Sequence, residues 1–498
     1  MMETKEEIRE RIDAIDEKIA SLLSERFSLT DKIGKIKEKN YQKISDRTRE
    51  EQVIGKVKGV CSRYGGVIGV RSEVEAVYEK IFELSKSRQE IFGKKFALVG
   101  GKLSHSYSQP LHEAFGYNYE LIETTEDKLE GLLRSDEYDG FNVTVPFKRL
   151  AASYCDVLDE TASMTGTVNV VMKRNGVLYG YNTDYFGLEY ALKKADIEIK
   201  DKNILIAGTG GTAHTAKLLC ENLGARSVCF VGRNYETNYY NCYEKKETQV
   251  LINATPVGMY PDTDKTVLSV ERFSKLESVF DAVYNPYKTK LILGATESGK
   301  KAACGFEMLV AQAVKSAEIF LGRNFDVGTI EAASRVLKLK KLNIVFAGMP
   351  GAGKTTLGRE FAKKFGLKFL DTDEEFEKSY GISAEDYIIR FGEKEFRSEE
   401  KELLLSILKS QDNACIALGG GSLSDNEVIA EVCKKSFVVI IERSIDKLER
   451  GGRPLSSSRE DLVRIYEKRM PIFREIGDLF VNNDATVDDA VKKLSEGI

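Results

Sequence analysis

The apolar pattern of this chain changes period once, and that change sets its architecture. Residues 1 to about 92 contain no proline and carry apolar side chains at helical spacing. From about 93 onward, short apolar runs (FALVGG, NVTVPF, NILIAG, SVCFVG, VLINATP, VFDAVYN) end in turn residues and alternate with helical patterns. A 3.6-residue period packs helix on helix, whereas strand–helix alternation builds a mostly parallel sheet covered by helices, so the two parts belong to different folds. A second division falls near 340, where the basic stretch VLKLKK closes a helical segment and a fresh apolar strand, NIVFAG, follows at once. At 498 residues the chain has room for about three domains. The expected order is an all-α module over 1–92, an α/β module over 93–339 and a second α/β module over 340–498.

Charge narrows the partners. Charged residues make up 31% of the chain and nearly cancel, leaving a net charge of -4, so neither nucleic acid nor an anionic membrane is an expected partner. Small molecules are. The acidic start METKEEIRE lacks an apolar core, and no run approaches membrane-spanning length, so a cytoplasmic location is expected. Eight cysteines without CxxC spacing and only three histidines (His105, His112, His214) argue against a zinc site or a disulfide framework.

In the first module Ile8, Ile12, Ile15, Ile19, Leu22, Leu29, Ile33 and Ile36 follow steps of four and three, with Arg26 standing in the same series. A guanidinium inside an apolar seam is costly unless an anion meets it. Lys37 follows about 20° round and about 16 Å along the axis, so both cations face one way, while Arg9 points about 100° off that face. A second helix is expected from SDRTREE, capped by Ser45 or Asp46, with Arg49 on the stripe of Val53 and Val57. A third, from about Ser72, turns Val74, Val77, Tyr78 and Ile81 inward and continues that stripe as Ser85 and Gln89. Such convergence suits a small polyanion, and a coiled-coil dimerisation arm with incidental charges fits the same pattern. The spacing of Arg9, Arg26, Lys37, Asp46, Arg49, Glu50, Ser85 and Gln89 resembles the all-helical chorismate mutases over residues 3–91. The resemblance implies a homodimer that exchanges its first helices, with Arg9 entering the partner's site. Arg9, Arg26 and Arg49 would hold the carboxylates of chorismate, Lys37 and Gln89 would donate to the ether oxygen as its charge grows, and Asp46, Glu50 and Ser85 would orient the rest. The alternative is a non-catalytic dimerisation or regulatory arm.

In the central module, Lys148 closes NVTVPFK and Asp184 stands in NTD, ahead of the apolar-periodic Phe186-Gly187-Leu188. A strand-like run ending in Pro-Phe-Lys holds an amine rigidly, and a carboxylate at a helix start beside it can relay a proton to a carbonyl or alkoxide oxygen. A solvated lysine and a capping aspartate are the bland alternative. The turn GTGGTA, between NILIAG and a helix from about His214, places Gly208, Gly210, Gly211 and Thr212 where a pyrophosphate meets a helix N-terminus. The following strand ends at Gly232-Arg233-Asn234, without the carboxylate that a free ribose needs, and Arg233 suits the 2′-phosphate of NADP. These motifs, with SHSYS, TVN, NATPVGM, DAVYNP and GFEMLVAQ, resemble shikimate dehydrogenase over about residues 95–335. That family implies a substrate lobe (93–192 plus 305–339) and an NADP-binding Rossmann lobe (193–304). Ser106 and Ser108 would bind the substrate carboxylate, Thr144, Asn169, Tyr284 and Gln312 its ring oxygens, and Lys148 with Asp184 would carry the proton as 3-dehydroshikimate is reduced. The sequence departs from the family at Gln109, where proline is usual, at Tyr185, where glycine is usual, and at GRN in place of NRT. Quinate is the alternative substrate.

The third module opens with NIVFAGMPGAGKTT, a P-loop in which Gly348, Gly351, Gly353, Lys354, Thr355 and Thr356 would cradle ATP phosphates and Thr355 would ligate Mg2+. Asp371 and Asp373 in FLDTDEEFE, Arg397 in EFRSEE, Gly420 and Gly421 in LGGGS, Arg453 in RGGRPL and Arg469 in EKRMPIF resemble shikimate kinase over 342 to about 485. The resemblance implies Asp373 at the hydroxyl to be phosphorylated, Arg397 and Arg469 on the substrate carboxylate with Gly420 and Gly421 beside it, Asp371 in the magnesium shell and Arg453 in a lid over the phosphate. A gluconate or nucleoside monophosphate kinase is the competing reading. The whole is expected to be a trifunctional enzyme of aromatic amino-acid synthesis.

Overall fold

A capping box starts the first helix, α1 (Lys5–Lys39): the Thr4 hydroxyl accepts from the Glu7 backbone N–H, and the Glu7 carboxylate accepts from that of Thr4. The computed structural model describes residues 3–63, 70–326, 328–448 and 459–498. The 35 residues of α1 make a rod about 52 Å long. Its C-terminal half packs on α3 (Val70–Ile91), and α2 (Arg47–Arg63) packs on α3 in turn. The approach is close at Gly34, where a Cβ would stand 2.6 Å from the Phe92 ring. Asp31 and Arg88 pair across the contact. Asp46 caps α2 by accepting from the Arg49 N–H at 3.0 Å. Val77, expected to face inward, is 57% exposed. The inward stripe runs 74, 78, 81, 85, and position 77 lies about 70° from its middle.

The central module holds two sheets. Strands β1 (Lys95–Gly100), β2 (Asn118–Glu123), β3 (Gly140–Val143), β4 (Val157–Leu158), β5 (Val170–Arg174) and β6 (Val177–Tyr181) form one, in the order β2-β1-β3-β5-β6-β4, with β5 antiparallel to both neighbours. Strands β7 (Asn203–Ala207), β8 (Ser227–Val231), β9 (Val250–Asn253), β10 (Ser278–Asp281) and β11 (Lys301–Cys304) form a parallel sheet in the order β11-β10-β9-β7-β8. The order reverses beside β7, which opens a ligand crevice at its C-terminal end. The two sheets are tied by the helices Asp184–Lys194 and Phe306–Leu321, which touch so closely that a Cβ on Gly187 would stand 2.6 Å from the Met308 carbonyl oxygen.

Strands β12 (Asn343–Gly348), β13 (Lys368–Asp371), β14 (Ala414–Ala417), β15 (Ser436–Glu442) and β16 (Leu479–Asn482) make a third, fully parallel sheet in the order β13-β14-β12-β15-β16. It is joined to the central module by the helix Gly328–Lys341 and by packing: one buried core runs from Phe306 and Val310 through Ile330 and Leu337 to Phe346 and Phe437. Among the described residues no helix is long and apolar enough to cross a membrane. All eight cysteines are free thiols.

Two local expectations change. The NVTVPFK run leaves the sheet at Val143 and turns, Phe147 N–H donating to the Thr144 carbonyl at 2.9 Å, so that Lys148 opens the helix Lys148–Tyr154 instead of ending a strand. Pro146, which lacks an N–H, cannot continue the ladder. The helix after the glycine turn begins at Gly211, three residues before His214, because its first turn is made by the glycine-threonine segment itself.

Candidate active sites

Lys148 and Asp184 each open a helix, and their side chains pair. Both are nearly buried, at 14% and 9% side-chain exposure. An ion pair this dry persists only if its remaining valences are met. The second Asp184 oxygen accepts from Asn169 Nδ2 at 2.9 Å, and the same amide donates to Thr183 Oγ1 at 2.9 Å and Gln312 Oε1 at 3.2 Å. Asn182 holds the segment from the other side, its Nδ2 donating to Thr165, Thr167 and Thr215 hydroxyls at 3.0 to 3.1 Å. The carboxylate is thus fixed by a polar web spanning four elements. Lys148 keeps two ammonium protons for another acceptor.

The cofactor turn abuts this pair. A Cβ added to Gly211 would lie 3.6 Å from Lys148 Cβ, one added to Gly210 meets nothing within 4 Å, and Gly208 has φ 108°. The open space at the helix start fits a pyrophosphate on backbone N–H groups. Arg233 is exposed just beyond β8. In the substrate sheet Ser108 is buried and its N–H donates to Ser106 Oγ at 3.1 Å, Thr144 follows β3, and Tyr284 reaches over to lie 5.3 Å from the Tyr107 ring. Burial raises the Tyr284 pKa, while the Ser106 hydroxyl lowers it. His105 meets Tyr260 of the other sheet at 4.5 Å, so the serine loop and the cofactor lobe touch across the cleft.

In the third module the loop after β12 has positive φ at Gly348, Gly351 and Gly353. A Cβ at Gly348 would stand 2.4 Å from the Ile441 carbonyl oxygen, so only glycine fits. Lys354 Nζ donates to the carbonyls of Gly348 and Met349 at 3.2 Å. Thr355 Oγ1 donates to Asp371 Oδ2 at 2.6 Å, a pair of hard oxygen donors of the kind that suits Mg2+. Thr356 is exposed on the first turn of the same helix. Opposite lies Gly419-Gly420-Gly421, bare backbone under three functional side chains: added Cβ atoms would come within 2.6 Å of Asp373 Oδ1, 3.4 Å of Arg469 Nη1 and 2.5 Å of the Arg397 guanidinium. Glu400 holds Arg397 at 2.6 Å and accepts from Ser422 at 2.8 Å. Arg469 is pushed down to about 10, first by burial and then by the like charge of Arg397. Among the described residues its buried Nη1 has no hydrogen-bond partner. Two converging guanidiniums, one of them unsatisfied, form a site for an anion.

The first module brings together fewer of its candidates. Arg26 Nη1 donates to Ser85 Oγ at 2.8 Å, and burial lowers the Arg26 pKa. Lys37 Nζ donates to the Ile44 carbonyl at 2.6 Å. Gln89 turns a buried Oε1 that lacks a partner among the described residues. Glu50 pairs with Lys86 at 2.8 Å, whereas Arg49 is exposed and Arg9 lies far out on the free half of α1.

Comparison with known proteins matches these three sites to three families. Family models for "Chorismate mutase type II", "Shikimate dehydrogenase substrate binding domain" and "Shikimate kinase" match residues 8–90, 98–171 and 350–498. The NADP(+) shikimate dehydrogenase of Clostridium perfringens strain 13 is 33% identical over 269 residues, which is 50% of this chain and 99% of the relative. The enzyme of Nitrosopumilus maritimus is 33% identical over 269 residues, 48% of this chain and 98% of the relative. The chain belongs to the shikimate dehydrogenase family. It also carries chorismate mutase and shikimate kinase modules, which makes it a trifunctional enzyme of the shikimate route. Among solved structures, a chorismate mutase/shikimate 5-dehydrogenase fusion from Clostridium acetobutylicum is 31% identical, covering 49% of this chain and 97% of its own, with TM-score 0.47. A quinate dehydrogenase with a non-catalytic first module is not favoured.

The departures of the dehydrogenase from its family pattern have places in the structure. Gln109 donates to Glu113 at 3.0 Å within a short helix, and the Tyr185 hydroxyl accepts from Asn222 at 3.1 Å at the back of the cofactor helix. Neither of these side-chain hydrogen bonds involves the Lys148–Asp184 pair. Arg453 of the kinase lies outside the described residues. Sequence reasoning gave no role to Asn182 or to the Glu400–Ser422 bracket; Asn182 sat inside the NTD motif, but its three partners come from distant segments.

Proposed function

We propose that the chain reduces 3-dehydroshikimate with NADPH, phosphorylates the resulting shikimate with ATP and Mg2+, and converts chorismate to prephenate, each at its own site. The observation that carries this reading is the buried Lys148–Asp184 pair abutting the cofactor turn. NADP supplies the hydride when bound at Gly208, Gly210, Gly211 and Thr212, with Arg233 at its 2′-phosphate. The Lys148 ammonium gives a proton to the oxygen of the ketone as its charge develops, and Asp184, fixed by Asn169, holds the amine in place. Ser106 and Ser108 hold the substrate carboxylate, and Thr144, Asn169, Tyr284 and Gln312 hold its hydroxyls.

In the kinase, Arg397 and Arg469 bind the shikimate carboxylate beside Gly420 and Gly421. Asp373 receives the proton of the attacking hydroxyl, and Lys354 and Arg453 offset charge on the transferring phosphoryl group. Thr355 and Asp371 would hold the magnesium, which neutralises phosphate charge when present. In the mutase, Arg26 and Arg49, with Arg9 from a second copy, hold the dicarboxylate while Lys37 and Gln89 meet the ether oxygen; Asp46, Glu50 and Ser85 keep the cations in place. A homodimer is supported by the apolar stripe of α1, whose eight members from Ile8 to Ile36 are all at least 44% exposed. We place the modules at 1–92, 93–339 (lobes 93–192 plus 305–339, and 193–304) and 340–498, in the cytoplasm, acting on small molecules without nucleic acid or membrane.

The test is product analysis by mass. The full chain with 3-dehydroshikimate, NADPH, ATP and Mg2+ is expected to yield shikimate and then shikimate 3-phosphate, and in a parallel tube chorismate yields prephenate. A chain that left 3-dehydroshikimate unreduced but reduced 3-dehydroquinate to quinate would overturn the assignment.

A further inference from the structure

The kinase grips the dehydrogenase by the segment that carries Tyr284. Asp281, fully buried at the end of β10, accepts from Asn253 Nδ2 at 2.8 Å, Val283 N–H at 3.0 Å and Thr289 Oγ1 at 2.6 Å, so residues 281–289 close on themselves as a strap. At its crest Tyr284 leans on Tyr107 of the substrate lobe. Three residues on, the chain faces the kinase. The Tyr287 ring stands between Phe306 at 5.4 Å and Phe437 of the kinase at 6.3 Å, and its N–H donates to the Lys434 carbonyl at 2.8 Å. Lys288 Nζ donates to the Ile476 carbonyl at 2.6 Å and pairs with Asp478 at 2.9 Å, at side-chain exposures of 14% and 12%. Asp478 in turn accepts from the Val438 N–H at 2.8 Å, which fixes it to β15. Burial by itself would depress the Lys288 pKa, and its surroundings, the Asp478 carboxylate foremost, together more than reverse that. The other lobe is held too: Lys340 donates to the Pro110 carbonyl at 3.3 Å and Lys341 sits over the Tyr107 ring at 5.3 Å.

These kinase partners lie at the N-terminal ends of β15 and β16, whereas the P-loop follows the C-terminal end of β12 in the same parallel sheet. The docking edge is therefore opposite the catalytic edge. An interface so placed does not join the two sites, but it does fix the strap. We propose that the kinase module is a brace for the dehydrogenase, and that Lys288, clamped by Asp478, is a positioning residue that sets Tyr284 in the substrate cleft. The proposal rests on the assignment of Tyr284 to substrate binding.

The experiment uses the full chain, measuring shikimate oxidation with NADP+ and, in the same preparation, shikimate phosphorylation. Tyr284→Phe is expected to raise the dehydrogenase KM for shikimate about 10-fold. Lys288→Met is expected to raise the same KM at least about 3-fold with kcat within about 2-fold, and to leave the kinase KM unchanged, because its effect travels through the strap. Lys288→Arg, which keeps the charge, restores the KM. Should Lys288→Met lose both activities through misfolding, Lys288→Gln carries the same expectation. A sensitive Tyr284 with a KM unmoved by the folded Lys288 variants would overturn the brace alone. An insensitive Tyr284 would sink the site assignment and the brace with it.

Discussion

The first helix and the strap at 281–289 both present side chains beyond their own module, and they end in opposite conditions. Tyr287 and Lys288 of the strap pack on the kinase, the Tyr287 N–H and the Lys288 ammonium both paired there. On α1, eight aliphatic side chains are at least 44% exposed, with nothing among the described residues covering them. Burying the exposed part of eight such residues contributes on the order of 10 kcal/mol before the cost of association, which is too large to leave in water without consequence. The dehydrogenase and kinase therefore complete each other within one chain, while the exposed stripe of α1 is what the proposed second copy would cover. Fusion has two meanings here: a shared core at one joint and a protruding arm at the other.

The comparison breaks most visibly at the arm. Ile15→Asp together with Leu22→Asp should convert the proposed dimer to monomer in light scattering and lower mutase activity by about 100-fold or more, with dehydrogenase and kinase rates within about 2-fold. A dimer that survived both charges would move the interface elsewhere. Within the α/β body, Arg469→Met should cost the kinase about 2–3 kcal/mol in shikimate recognition, a loss of about 30- to 160-fold in kcat/KM that leaves the dehydrogenase untouched. An equal loss in both activities would instead point to general unfolding of the shared core.

The smallest effect concerns His112. It is fully buried, stacked on Tyr119 at 4.2 Å, and burial pushes its pKa down to about 3 from an ordinary 6.5. The unfolded chain gains a proton below about 6.5 that the folded lobe refuses until about 3, so stability is present above the ordinary value and falls as pH drops through that window. The slope is roughly 1.4 kcal/mol for each pH unit. Between pH 7.5 and pH 5 the parent should lose stability relative to His112→Phe, as read by denaturant midpoints of the dehydrogenase signal. A parent that held or gained stability relative to the variant on acidification would refute the neutral buried imidazole.

How much of this was legible depended on whether a residue's role is local. The P-loop was readable because Gly348, Gly353, Lys354 and Thr355 act through one strand–turn–helix, and spacing alone places them. Lys148 was readable as an amine but not as the start of a helix, since the turn at 144–147 is set by its hydrogen bond and by Pro146 rather than by apolar periodicity. Val77 was misjudged by one position round α3, a shift that alternation of threes and fours does not resolve. Lys288 and Asp478 gave no signal, for each is an ordinary surface residue type and becomes buried only when a module 190 residues away docks on it. Burial created by packing between modules leaves no periodic trace in either segment.

The claim that one chain runs reduction and phosphorylation at separate sites is tested most directly by Lys148→Met in the full chain. Given 3-dehydroshikimate, NADPH, ATP and Mg2+, the variant should form shikimate 3-phosphate at about 1% of the parent rate or less, yet phosphorylate added shikimate at the parent rate. Shikimate 3-phosphate appearing from 3-dehydroshikimate at near the parent rate would contradict it.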